Sequence, residues 1–402
     1  MEIKIADRIT KMVPSGIRKV NEKALAMERN GEKVYHFEIG RPDFDTPDYI
    51  KKACIDSLNN GDVFYTSNFG YQELREEIAK YLTDKKHIPT TYEEVLVTVG
   101  LAEAVYDVLS VILEEGDEIL VPDPVWMNYI NIPRMLGAVD VKYSLLEQRE
   151  YQPDFGELSA KITDKTKAIV LVSPHNPTGS MLSRESLEGI AELAKKNNLL
   201  VLSDEIYERL VYHEEGHISI ASLPDMKERS ITLNGFSKAY SMTGWRIGYV
   251  SAKKELILAI NKIHQVNTTS AASFVQKAAI AALREEKTEV EDMRREYRRR
   301  RDYAVKAING IPGLQCAEPA GAFYIFINIK ALGISSAKFA EYLLENEKIA
   351  LVPGEVFGEN GEGYLRMSFA NSLDNIAEGI QRLPHGVEAI KKEESGYGDK
   401  SR

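Results

Sequence analysis

Cysteine is nearly absent from this 402-residue chain: only Cys54 and Cys316 occur, too few for a disulfide framework and in no metal-ligand spacing. Basic residues do not predominate, since 51 lysines and arginines stand against 61 aspartates and glutamates. The resulting net charge of -10 excludes a general nucleic-acid or anionic-membrane surface, which needs a basic footprint. Nor is there a long apolar run. The opening MEIKIADRITKMV carries charges throughout, so neither a secretory leader nor a membrane span is expected, and a cytoplasmic protein is. A G-x-G-x-x-G fingerprint after the first strand is also missing, which argues against a nicotinamide-dependent oxidoreductase.

What is present is an alternation. Short runs rich in Val, Ile and Leu (EEVLVTVG, DEILVPDP, KAIVLVSP, LLVLSDE) are separated by longer amphipathic stretches. Such alternation predicts β-α-β units and a mostly parallel sheet covered on both faces. Ligands of these sheets bind at the carboxyl ends of the strands, here the segments VGLAEA, PDPVW, SPHNPTG and SDEIYE. From about Glu285 a charged stretch keeps an apolar residue only every third or fourth position, as a long helix with one buried stripe would. Its arginine run, preceded by acids, reads as a solvated helix face with internal ion pairs. A second alternation follows: GAFYIFINI, an amphipathic helix through Tyr342, then KIALVPG and YLRMSFA. This is expected to form a smaller α/β domain. The polar end KKEESGYGDKSR is expected to fray.

Three segments carry candidate chemistry. ITLNGFSKAYSMTGWRIGYV places Ser237 and Lys238 just after a strand, with Arg246 flanked by Gly244 and Gly248. VLSDEIYERLVY puts Asp204 at the end of an apolar strand and Tyr207 three residues on; VSPHNPTG offers Asn176 in a loop fixed by two prolines and a glycine. Taken singly these read as a surface lysine, a helix cap and a turn. Together they supply what pyridoxal phosphate requires: an amine for the imine, an anion for the ring nitrogen and donors for the phenolic oxygen.

The order and spacing of GRPDFDTP, VSPHNPTG, SDEIYE, NGFSKAYSMTGWRIGY and GAFY, with Arg366 in YLRMSFA, resemble the class I aminotransferases, in particular the aspartate aminotransferase branch. The resemblance runs from about Pro14 to the region of Leu383. It implies fold type I, an α/β fold whose large domain holds a mostly parallel seven-stranded sheet covered by helices. The division expected is an N-terminal segment at 1–47 that joins the small domain, a large cofactor-binding domain at 48–287 and a C-terminal small domain at 288–402.

The resemblance further implies pyridoxal 5'-phosphate as cofactor, with Lys238 as the Schiff-base lysine, Asp204 on the ring nitrogen, and Tyr207 and Asn176 at the ring oxygen. Trp126, a core aromatic by residue type alone, stands where the family stacks a ring on the cofactor. The backbone of Leu101 and Ala102, after Gly100 at a helix start, would hold the phosphate with Arg246. Tyr65 matches a tyrosine that reaches the phosphate across a dimer interface, which implies a homodimer. Arg366 would grip the α-carboxylate, helped by Asn176 and the backbone of Gly40, with Tyr324 near the pocket.

Two departures stand out. Relatives that use aspartate usually carry lysine where Ala102 stands, and many have a serine at the position of Gly235. The expected reaction is ping-pong transfer of an amino group between an L-amino acid and a 2-oxo acid, with aspartate and 2-oxoglutarate as one pair. A β- or γ-eliminating lyase is the alternative. A transcription regulator built on the same fold is disfavoured by the acidic charge and the short segment before Pro14.

Overall fold

The computed structural model describes residues 3–398 apart from 11, 13 and 287, with side chains as far as 392. Seven strands form the central sheet: β1 (Val95–Thr98), β2 (Glu118–Asp123), β3 (Val139–Ser144), β4 (Thr166–Val172), β5 (Leu200–Asp204), β6 (Ser230–Gly235) and β7 (Gly248–Ser251). They lie in the order β1-β7-β6-β5-β4-β2-β3, and β7 alone runs antiparallel to its neighbours. The continuous apolar runs follow from burial on both faces. Leu96 packs with Val105 and Leu109 of the helix Leu101–Ile112 and with Ile257 and Ile260 of Lys254–Asn267, whereas Val95 and Val97 face Leu74, Ile78 and Ala278 on the other side. The period of two along the strand sends neighbours to opposite layers.

A second body is built from both ends of the chain. Strands β8 (Tyr324–Asn328), β9 (Val352–Pro353) and β10 (Tyr364–Ser368) form an antiparallel sheet in the order β9-β10-β8. Tyr35–His36 pairs in parallel with Ile349–Ala350, and the Ser368 N–H donates to Phe37 O at 2.8 Å, which ties the N-terminal segment into the same unit. Phe37, Phe323, Ile325, Leu365 and Met367 share a core with the long helices Glu289–Asn309 and Leu373–Gly398.

Two expectations need correction. The arginine run of helix Glu289–Asn309 is not wholly a solvated face. Arg299 pairs with Glu296 within the helix, but Arg300 and Arg301 are buried. Arg300 reaches Asp43 at 2.8 Å, and Arg301 donates to Pro319 O at 2.9 Å and pairs with Glu318 at 3.0 Å. These two arginines lie on the stripe that docks against the 43 and 319 segments, where the helix meets acids and carbonyls supplied by tertiary contact. The polar end does not fray at Lys391 either; the last helix runs on through Gly398, and residues 399–402 lie outside the described residues.

Candidate active site

A cavity of about 290 Å³ opens at the carboxyl ends of the parallel strands, closed on one side by the second body. Asp204, the last residue of β5, is buried there; its Oδ2 accepts the Tyr129 hydroxyl at 2.9 Å and its Oδ1 the Ile206 N–H at 3.2 Å. Among the described residues it has no ion-pair partner. Burial therefore pushes its pKa up to about 6, against the pull of those two bonds and of the Lys238 charge. Lys238 follows β6 and donates from Nζ to Gly40 O at 2.6 Å. Burial first, then the charges of Arg366 and Arg246, bring its pKa down to about 8. An amine so placed gives up its proton more readily than a free lysine. Gly40 must be glycine because a Cβ there would overlap the Tyr324 hydroxyl.

Arg366, in the middle of β10, is 1% exposed and is the largest fully buried side chain among the described residues. It lies against the rings of Tyr324 and Phe357, 4.5 and 4.9 Å from their centroids. Nη1 donates to Asn176 Oδ1 at 3.0 Å and Nη2 to Glu38 O at 2.5 Å, while Nε has no partner. Both acceptors are neutral. The Glu38 carboxylate turns instead to Asn21 and His36, each at 2.8 Å. Burial pulls the pKa of Arg366 down, yet a guanidinium stays charged; the Glu38 carboxylate acts on it only through space, and among the described residues Arg366 has no ion-pair partner. Tyr207 and Tyr324 share a hydroxyl hydrogen bond of 2.7 Å, and burial keeps the Tyr207 hydroxyl protonated.

The helix Leu101–Ile112 points its N-terminus at the same cavity. Gly100, at φ +74°, is its cap, and a Cβ there would overlap Nη2 of Arg246. The first intrahelical bond runs from Ala104 N–H to Gly100 O, so the amides of Leu101 and Ala102 precede it and are available to an anion, with the positive end of the dipole behind them. Arg246 is steadied by donating to Thr243 O at 2.9 Å. Glu103 in the first turn is drawn inward by the Val99 N–H, the Thr268 hydroxyl and His264 Nδ1 at 3.1 Å. Trp126 meets the edge of Tyr129 at 6.0 Å between centroids.

Gly40, Leu101, Ala102, Trp126, Asn176, Asp204, Tyr207, Lys238, Arg246 and Arg366 all line this one cavity. Tyr65 does not: it is 89% exposed on the surface of its own chain. Ser237 also lines the cavity. A Cβ at Gly235 would stand 2.9 Å from the Gly248 Cα, so the close β6–β7 pairing rules out serine at that position. Sequence reading missed Tyr129, whose spacing of three from Trp126 on a helical start was the available signal. It also missed Arg41 and Ile17, which line the cavity from the N-terminal segment and carried no chemical pattern.

The sequence model of the family described as aminotransferase class I and II matches residues 32–383. The chain belongs to that family. It is 42% identical to a putative aminotransferase, YugH, of Bacillus subtilis over 94% of this chain and 97% of the relative. It is 41% identical to an aspartate aminotransferase of Pyrococcus abyssi, again over 94% and 97% of the two chains. The solved structure of the Thermus thermophilus aspartate aminotransferase with maleate superposes with a TM-score of 0.92 at 36% identity, over 96% of this chain and all of the other. These likenesses support amino transfer over elimination. This aminotransferase is thus an enzyme of the transaminase type acting on amino acids and 2-oxo acids, with the fold of the aspartate aminotransferases.

Proposed function

We propose that the aminotransferase works with pyridoxal 5'-phosphate carried by Lys238, and that aspartate and 2-oxoglutarate are one of its substrate pairs in a ping-pong cycle. The observation that carries the reading is the unpaired charge of the cavity: among the described residues the buried Asp204 carboxyl and the buried Arg366 guanidinium each lack an ion-pair partner and are held by neutral groups. The cofactor's pyridinium and the substrate's α-carboxylate have the complementary charges. The phosphate suits the amides of Leu101 and Ala102 and the Arg246 guanidinium. Trp126 would stack on the ring, with Tyr207 and Asn176 at its phenolic oxygen.

When bound, pyridoxal phosphate supplies an electron sink for the bond broken at the α-carbon. Arg366 would hold the α-carboxylate through its planar fork, with Asn176 and the Gly40 backbone alongside. Lys238, its basicity lowered by burial, would take the α-proton on Nζ and hold it for return. A substrate filling the cavity between the central sheet and the second body would displace water from that transfer.

The domain division proposed is a large domain at 48–287, with 1–47 and 288–402 forming the small one. A cytoplasmic homodimer completes the reading. Val63, Phe64 and Tyr65 stand exposed together, as residues covered by a second copy would in a lone chain. Among the described residues no helix is long and apolar enough to cross a membrane.

The test is an absorption spectrum of the purified protein with pyridoxal phosphate, before and after aspartate, alanine, an aromatic and an aliphatic amino acid. Loss of the band of the lysine-bound cofactor and growth of the pyridoxamine band is expected, largest with aspartate. Absence of any cofactor band would overturn the proposal.

A further inference from the structure

We propose that Arg41 reads a second carboxylate on the substrate, so that the pocket selects dicarboxylic amino acids and 2-oxo acids. This rests on the aminotransfer reading above. The cavity is lined by four cations, Arg41, Lys238, Arg246 and Arg366, against the single carboxyl of Asp204. Three of the cations are engaged by the protein: Lys238 by Gly40 O, Arg246 by Thr243 O, and Arg366 by Asn176 and Glu38 O. Arg41 makes no ion pair and donates no side-chain hydrogen bond to any described residue.

Its own segment is rich in acids, yet each is committed elsewhere. Glu38 bonds Asn21 and His36, Asp43 holds Arg300 at 2.8 Å, and Asp45 holds Lys51 at 2.7 Å. Glu103, the one acid in the first turn of the phosphate-facing helix, is turned inward by Val99, Thr268 and His264. Ile17 and Ala102 line the same cavity and add no polar side chain to it. Among the described residues that line the cavity, the guanidinium without a partner is the exposed one directly after Gly40. An arginine suits this post because its fork binds a carboxylate through two bonds.

The test compares wild type with Arg41→Gln and Arg41→Lys as holoenzymes. In wild type, kcat/KM for glutamate or aspartate should exceed that for alanine; in Arg41→Gln the ratio should fall about 100-fold, as loss of a charged hydrogen-bonded contact implies. Arg41→Lys should recover part of it. By calorimetry, glutarate should bind wild type far more tightly than butyrate, and Arg41→Gln should lose that difference. A ratio that moves less than about threefold in Arg41→Gln, or a wild type that prefers alanine, would overturn the assignment while leaving aminotransfer intact. If no donor converts the cofactor, the aminotransfer reading fails instead, and equal binding of glutarate and butyrate would then reject Arg41 on its own account.

Discussion

Two groups of buried charge flank the helix Leu101–Ile112, and the chain treats them in opposite ways. On the inner side, His264 lies with Nδ1 3.1 Å from Glu103 and 3.6 Å from Asp107, all three buried. The two carboxylates raise His264 to a pKa of about 9 against the desolvation, which favours an imidazolium, so the protein supplies a cation to its own buried acids. At the helix N-terminus, by contrast, Asp204 and Arg366 are just as buried and receive only neutral partners. A fold that can assemble a matched cluster one turn away has left this one unmatched. On the proposed reading the missing charges are those of ligands, and the difference would separate a structural ion cluster from a site built to bind.

The sharpest test of that contrast is Lys238→Ala. Removing the only amine in the cavity should lower turnover by at least about 10⁴-fold in steady-state assays. Near-normal turnover would end the assignment of Lys238. A smaller effect is expected for Arg366→Gln, where loss of the guanidinium fork should reduce kcat/KM for every amino acid by about 10³-fold. Because that charge is uncompensated, urea unfolding of Arg366→Gln without cofactor should lose less than about 1 kcal/mol. A stability loss of several kcal/mol would show Arg366 to be structural instead and would erase the contrast.

The central sheet was legible because its strands are buried on both faces and so read as unbroken apolar runs. Edge strand β3, VDVKYS, and the antiparallel β7 were not singled out: β3 is partly exposed and alternates with polar residues, and β7, GYVS, has only Tyr249 and Val250 as apolar residues. Lys238, Asp204, Tyr207 and Asn176 were legible because several chemical types had to coincide there, whereas Gly40, Leu101, Ala102, Trp126 and Arg366 were named through the family resemblance. Arg41 was not, since an arginine in an acid-rich turn looks like any solvated charge until its neighbours are seen to be engaged elsewhere. Arg300 and Arg301 misled for the same reason in reverse: their partners, Asp43 and Pro319 O, are remote in the chain. Local sequence shows what a charge is, and tertiary contact decides whether it is satisfied.

A stability effect without loss of catalysis is expected at the His264 cluster. His264→Gln leaves two buried carboxylates facing each other without a cation and should lower the unfolding free energy by about 3 kcal/mol at pH 6. The pH dependence follows from the direction of the shift. The pKa of His264 is raised from its ordinary 6.5 to about 9 in the folded protein, so its contribution is complete below about pH 6.5 and is lost as pH rises through about 9. Asp107, whose pKa burial raises, opposes this by favouring its neutral form, and Glu103, whose pKa His264 and Thr268 hold down against desolvation, acts with the pair. Urea titrations of wild type and His264→Gln at pH 6, 7.5 and 10 should therefore show a stability gap that narrows toward pH 10. A gap that is flat across the series would mean that His264 is neutral in the fold, and that the cluster behind the helix is no better matched than the site in front of it.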